Sequence, residues 1–166
     1  MITGANRGLG FEAARQLSRS GVKTIIGARD PAKGEQAADA LRAEGCDVES
    51  VALDVGSPSS VQAAAKQVGQ RHGGLDILVN NAGILPEATA GDTAGPLDLR
   101  LFRDTFDTNL IGAVAVMQEF LPLLPENRAA APLNAEQAAP IIVEMASLAD
   151  DGPSGSFVDR DGPVAW

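Results

Sequence analysis

Short apolar runs alternate with amphipathic stretches along this chain, and that alternation admits few folds. Residues 22–27, 48–53, 75–79 and 141–145 each read as a buried strand. Helix-like segments lie between them. Asp30-Pro31 and Ser57-Pro58 each place a capping side chain ahead of a proline suited to the first helical position. Ala37, Ala38 and Leu41, then Ala63, Ala64 and Val68, recur at helical spacing, and Gly45 and Gly73-Gly74 supply stops. A longer helix is predicted over 98–124, carrying Leu110, Val114, Met117 and Leu121. Short strand and helix units in alternation imply right-handed crossovers. The expected fold is therefore α/β, a doubly wound parallel sheet covered on both faces, in a single domain over 1–166. Two stretches fall outside the pattern: 125–140, rich in Ala and Pro, is expected to be a surface insertion, and 149–166 a loop-like tail.

Composition narrows the functional classes. A chain of 166 residues with 45% apolar and 21% charged residues suits one globular domain and disfavours disorder. One cysteine, Cys46, forms no internal disulfide and no cysteine-based zinc cluster, so no metal is expected, and a reducing, cytoplasmic setting fits best. No run approaches the ~18 apolar residues that cross a bilayer, and the first residues do not read as a signal peptide. A net charge of -9 repels nucleic acid and anionic membranes, and neither is an expected partner. The charge is uneven. Residues 1–50 balance Arg7, Arg15, Arg19, Lys23, Arg29, Lys33 and Arg42 against as many acids, so the deficit lies beyond them. That neutral, arginine-containing start is either an unremarkable solvated surface or a place for a small anion.

Thr3-Gly4-Ala5-Asn6-Arg7-Gly8-Leu9-Gly10 stands between a strand remnant and a helix carrying Phe11, Ala14 and Leu17. In a dinucleotide-binding turn one glycine makes the bend and another admits the pyrophosphate close to the backbone. A third lets helix and strand pack, and the helix N-terminus supplies amide donors. The spacing here, G-x-x-x-G-x-G, differs from G-x-G-x-x-G, and a glycine cluster alone is also compatible with a purely structural turn.

Asn80-Asn81-Ala82-Gly83 follows the third apolar run, Asp54 closes Ala52-Leu53-Asp54, and Asn109 falls within the long helix. Together with T-G-x-x-x-G-x-G, this set resembles the short-chain dehydrogenase/reductase family over residues 1 to about 147. TGANRGLG, IIGARDPAKG, LDILVNNAG and TNLIG look most like its carbonyl-reductase-type members. The resemblance implies a Rossmann-like NAD(P)-binding fold and an oxidoreductase that interconverts a carbonyl and an alcohol by hydride transfer. It implies that Thr3, Gly4, Asn6, Arg7, Gly8, Leu9 and Gly10 form the cofactor turn. Asp54 and Val55 would meet the adenine, and Asn81, Ala82 and Gly83 would lie beside the ribose. Ser147 matches the serine that bonds the substrate oxygen, and Asn109 the asparagine that orders a proton-relay water. A small carbonyl or alcohol is the implied substrate. A homodimer through the helices corresponding to 98–124 is compatible with the complete protein.

Cofactor choice follows from charge. An acid at the end of the second strand bonds a free ribose 2′-hydroxyl and repels a 2′-phosphate. Here Gly27-Ala28-Arg29 stands at that place and Arg7 lies in the glycine turn, so two fork-shaped guanidiniums suit a phosphate dianion. NADP(H) is expected over NAD(H), with Asp30, one residue later, as the group that could reverse it. His72 reads as the end of a surface helix, Cys46 as packing, and Trp166 carries no signal.

The family pairs a tyrosine with a lysine in Y-x-x-x-K, the ammonium lowering the phenol pKa so that it exchanges a proton near neutrality. This sequence has no tyrosine, and its lysines, Lys23, Lys33 and Lys66, all precede Ser147. Arg160 is a poor general acid. The simplest expectation is a fragment truncated at both ends, cut inside the first strand and before the tyrosine with later strands missing, and inactive alone. The alternatives are a non-catalytic relative that binds a nucleotide or a protein, and an α/β piece without cofactor affinity.

Overall fold

The structure is a computed structural model that describes residues 1–85 and 99–124 in full, with the backbone of 157–159 and 162–164. Its elements run β1 (Ile2–Thr3), α1 (Gly8–Arg19), β2 (Thr24–Ala28), α2 (Pro31–Ala43), β3 (Val48–Ala52) and α3 (Pro58–His72). A second helical run follows: α4 (Leu99–Phe106), a π turn (Asp107–Gly112), α5 (Ala113–Phe120) and a 3-10 turn (Leu121–Leu123). Then come β4 (Phe157–Asp159) and β5 (Gly162–Val164).

The strands pair in parallel in the order β1-β2-β3, with Ile2 opposite Ile26 and Ile26 opposite Ser50. On its other side β1 bridges in parallel to Val79. Thr3 N–H donates to Val79 O at 3.0 Å and Val79 N–H to Met1 O at 2.9 Å. The expected third strand over 75–79 is thus realised at one bridge, Ile2 to Val79. The expected strand over 141–145 and the insertion over 125–140 lie outside the described residues.

The period-two alternation of the strands sorts side chains onto two faces. Ile2, Ile26 and Val48 pack with Ala14 of α1 and Ala37, Ala38 and Leu41 of α2. Met1, Ile25 and Val51 face the other way, against Val61, Ala64, Ala65 and Val68 of α3 and Val116 and Phe120 of α5. β2 is buried along its whole length, as a strand covered on both sides must be. The sequence motifs cap the helices as expected. Asp30 accepts from the Ala32 and Lys33 amides, Ser57 accepts from Ser60 N–H, and Gly73 ends α3 at φ +75. On α3 the buried row includes Ala65, while Ala63 faces solvent.

The predicted helix over 98–124 is present but interrupted. The π turn around Asn109 inserts a residue and rotates the helix phase beyond it. Gly112, Val116 and Phe120 therefore meet the core, whereas Leu110, Val114, Met117 and Leu121 stay exposed. A Cβ at Gly112 would stand 2.9 Å from Val55 O, so this crossing needs glycine.

The chain divides into two compact units, Met1–Pro125 and Glu126–Trp166. The second contains an antiparallel pair, Phe157 opposite Val164 and Asp159 opposite Gly162. Within the stretch expected to be a loop-like tail, 157–159 and 162–164 are short paired strands. Phe157, Val158 and Val164 are β-formers that outweigh the loop-like Gly and Pro content around them.

Candidate functional site

The carboxyl ends of the parallel strands converge on a cleft of about 360 Å³. Gly4, Asn6, Arg7, Gly8, Leu9 and Gly10 come from the β1–α1 turn. Arg29 follows β2, Asp54 and Val55 follow β3, and Asn81, Ala82 and Gly83 follow Val79. Of the proposed cofactor residues, Thr3 alone does not line it. It is buried beneath, and its hydroxyl accepts from the Asn81 and Ala82 amides at 3.0 and 2.9 Å. Leu53, Ile84 and Thr108 line the cleft too and were not singled out from sequence. Thr108 stood in the TNLIG stretch already noted, while Leu53 and Ile84 carried no signal beyond their neighbours.

Asn81 holds the turn in shape. Its Nδ2 donates to Thr3 O at 2.9 Å and Gly4 O at 3.4 Å, and it occupies the space above Gly10 that a Cβ there would need. Gly4 at φ +66 approaches the Ala82 backbone. Gly8 at φ +60 has nothing within 4 Å of the Cβ position, so its backbone lies open. Among α1, α2 and α3, only α1 begins without a side-chain cap. Its first residues, Gly8, Leu9 and Gly10, line the cleft.

The cations divide similarly. Arg15 and Arg19 sit on Glu44, Arg42 on Glu35 and Asp39, and Lys23 on Glu49 at 2.7 Å. Hydrogen bonding from Lys23 holds the Glu49 carboxyl below its usual range. Arg7 and Arg29, both exposed at the cleft, have no carboxylate partner among the described residues. Asp54 Oδ1 accepts from Gly56 N–H at 3.0 Å, fixing the turn after β3.

A second cavity, about 260 Å³, lies at the amino ends of the strands between Met1, Lys23, His72 and Ile77. It has no glycine turn, and Lys23 and His72 are both turned to Glu49. His72 is the last residue of α3, as expected, and Cys46 is buried in the core.

Asn109 acts as a clamp. Its Oδ1 accepts from Ile84 N–H and its Nδ2 donates to Ile84 O, both at 2.8 Å. The side chain thereby ties the backbone that borders the cleft to the helical run, and it keeps one N–H and one Oδ1 acceptor site for a further partner. Asn109→Ala is expected to cost about 1–2 kcal/mol and to speed hydrogen exchange at the Ile84 amide. Unchanged exchange at Ile84 would refute the clamp. Ser147 lies outside the described residues.

Among the described residues no group of acidic, histidine or cysteine side chains could hold a metal, and no helix is long and apolar enough to cross a membrane.

The family model described as short chain dehydrogenase matches residues 1–154. Short-chain dehydrogenase/reductase ATR10 of Stachybotrys chlorohalonatus is 41% identical over 128 residues, 75% of this chain and 46% of that protein. Carbonyl reductase [NADPH] 1 of Mus musculus is 38% identical over 131 residues, 77% of this chain and 46% of that protein. The chain thus spans about half the length of the curated relatives it matches. Menthone neomenthol reductase from Mentha piperita aligns with a TM-score of 0.66 at 30% identity, covering 76% of this chain and 56% of that one. A metagenomic short-chain oxidoreductase in complex with NADP aligns with a TM-score of 0.62 at 31% identity, covering 74% and 54%.

Proposed function

The chain belongs to the short-chain dehydrogenase/reductase family, and from that premise we propose that its cleft holds NADP(H) for the interconversion of a carbonyl and an alcohol. One observation carries the reading: the open β1–α1 glycine turn and two guanidiniums without a carboxylate partner among the described residues, Arg7 and Arg29, border the same cleft. The uncapped amides at the start of α1 suit a diphosphate, and Gly8 leaves the room that close approach requires. Arg29 and Arg7 suit a 2′-phosphate, because charged, forked donors bond a dianion well. Relatives named for NADPH and a structural neighbour holding NADP support that cofactor. Asp54 and Val55 border the part assigned to adenine, and Asn81, Ala82 and Gly83 the part assigned to ribose. When bound, the cofactor supplies or accepts the hydride.

Ser147 would hold the substrate oxygen by a hydrogen bond, while Asn109, through Ile84, keeps the cleft wall in place. The chain contains no tyrosine, and its three lysines all precede Ser147. No group remains that could give up and regain a proton near neutral pH in the manner of a tyrosine–lysine pair. The chain by itself is therefore a cofactor-binding unit that does not turn over carbonyls. The same absence favours a second reading, a non-catalytic relative that binds a nucleotide or a protein. A cytoplasmic setting and a small-molecule partner go with the first reading. The exposed row of Leu110, Val114, Met117 and Leu121 offers the surface for a homodimer.

Arg29→Ala is expected to narrow the preference for NADPH over NADH by about tenfold, measured by fluorescence titration. An unchanged ratio would remove Arg29 from the site. Turnover of a carbonyl by the purified chain would contradict the assignment of inactivity.

A further inference from the structure

An acid directly after the second strand can bond a free ribose hydroxyl and oppose a 2′-phosphate, and Asp30 stands next to that place. Its carboxylate is committed elsewhere. Oδ1 accepts from the Ala32 amide at 3.0 Å and the Lys33 amide at 3.2 Å, closing the first turn of α2 behind Pro31. Lys33 Nζ stands 3.9 Å from Oδ2, so the ammonium facing Asp30 is that of Lys33, not the guanidinium of Arg29. Arg29 borders the cleft and Asp30 does not.

Resting on the dinucleotide reading, we infer that Asp30 is a positioning residue for cofactor choice. By capping α2 it keeps its carboxylate off the ribose and fixes the backbone from which Arg29 reaches the cleft. The acid that by position should favour NAD(H) instead strengthens the preference for the 2′-phosphorylated dinucleotide.

The test titrates NADPH and NADH into the wild-type chain, Asp30→Asn and Asp30→Ala, following cofactor fluorescence, with melting curves recorded without cofactor. Asparagine caps helices as well as aspartate does, so Asp30→Asn should keep the melting temperature and leave NADH affinity within about twofold of wild type. Asp30→Ala should melt about 2–4 °C lower. It should also narrow the NADPH-to-NADH affinity ratio by about threefold or more, as Arg29 loses its fixed base, and Asp30→Asn should restore the ratio. NADH binding weakened about fivefold in Asp30→Asn at an unchanged melting temperature would show the carboxylate bonding the ribose and overturn the inference. A wild-type ratio in Asp30→Ala would overturn it as well, leaving only a structural cap. A wild-type chain that binds neither dinucleotide overturns the reading of the cleft itself, and this inference with it.

Discussion

Gly4→Val should abolish dinucleotide binding and cost about 3 kcal/mol or more of stability. Two independent conflicts meet at this position. The backbone has φ +66, which a β-branched residue scarcely adopts, and a Cβ there would stand 2.8 Å from the Ala82 Cα. Backbone cannot swing aside as a flexible side chain can. The turn would have to leave residues 81–83, breaking the bonds from Asn81 to Thr3 O and Gly4 O. Urea unfolding and an NADPH titration on the same variant measure both consequences. Wild-type stability in Gly4→Val would mean that the turn and the 81–83 segment do not touch.

Phe120→Ala should cost about 3–5 kcal/mol, a large fraction of the stability of an ordinary domain. Phe120 is fully buried against the sheet face shared with Val61, Val68 and Val116. Phe106, on the near side of the π turn, is 46% exposed and touches Phe102 with ring centroids 4.6 Å apart. Phe106→Ala should cost no more than about 1 kcal/mol. Urea midpoints of the two variants compare the helix phase on either side of the π turn. Equal losses would contradict the phase described here.

Those two positions also show where sequence reading stops. The apolar residues of 98–124 form more than one row, and periodicity alone cannot say which row meets the sheet. The extra residue in the π turn then moves the phase, so Val116 and Phe120 are buried instead of Val114 and Met117. The strands and caps were easier. Residues 24–28 are a continuous apolar or small run, and Asp30-Pro31 and Ser57-Pro58 specify helix starts by local hydrogen bonding and a fixed φ. The cleft residues were legible because glycine positions and strand-end polar residues carry their chemistry in their identity. Leu53, Ile84 and Thr108 were not, since what they line depends on where segments distant in sequence meet. Asn109 was legible as a residue of interest, but its two bonds to Ile84, 25 positions away, required coordinates. Asp30 shows the same limit: sequence gives an acid near the ribose position, and only geometry shows its oxygen turned to the α2 amides.

The most direct check is a paired titration of the wild-type chain with NADPH and NADH, reading cofactor fluorescence to saturation. Saturable binding at one site is predicted, with NADPH bound about tenfold or more tightly than NADH. The absence of saturable binding by either dinucleotide, or tighter binding of NADH, would contradict it.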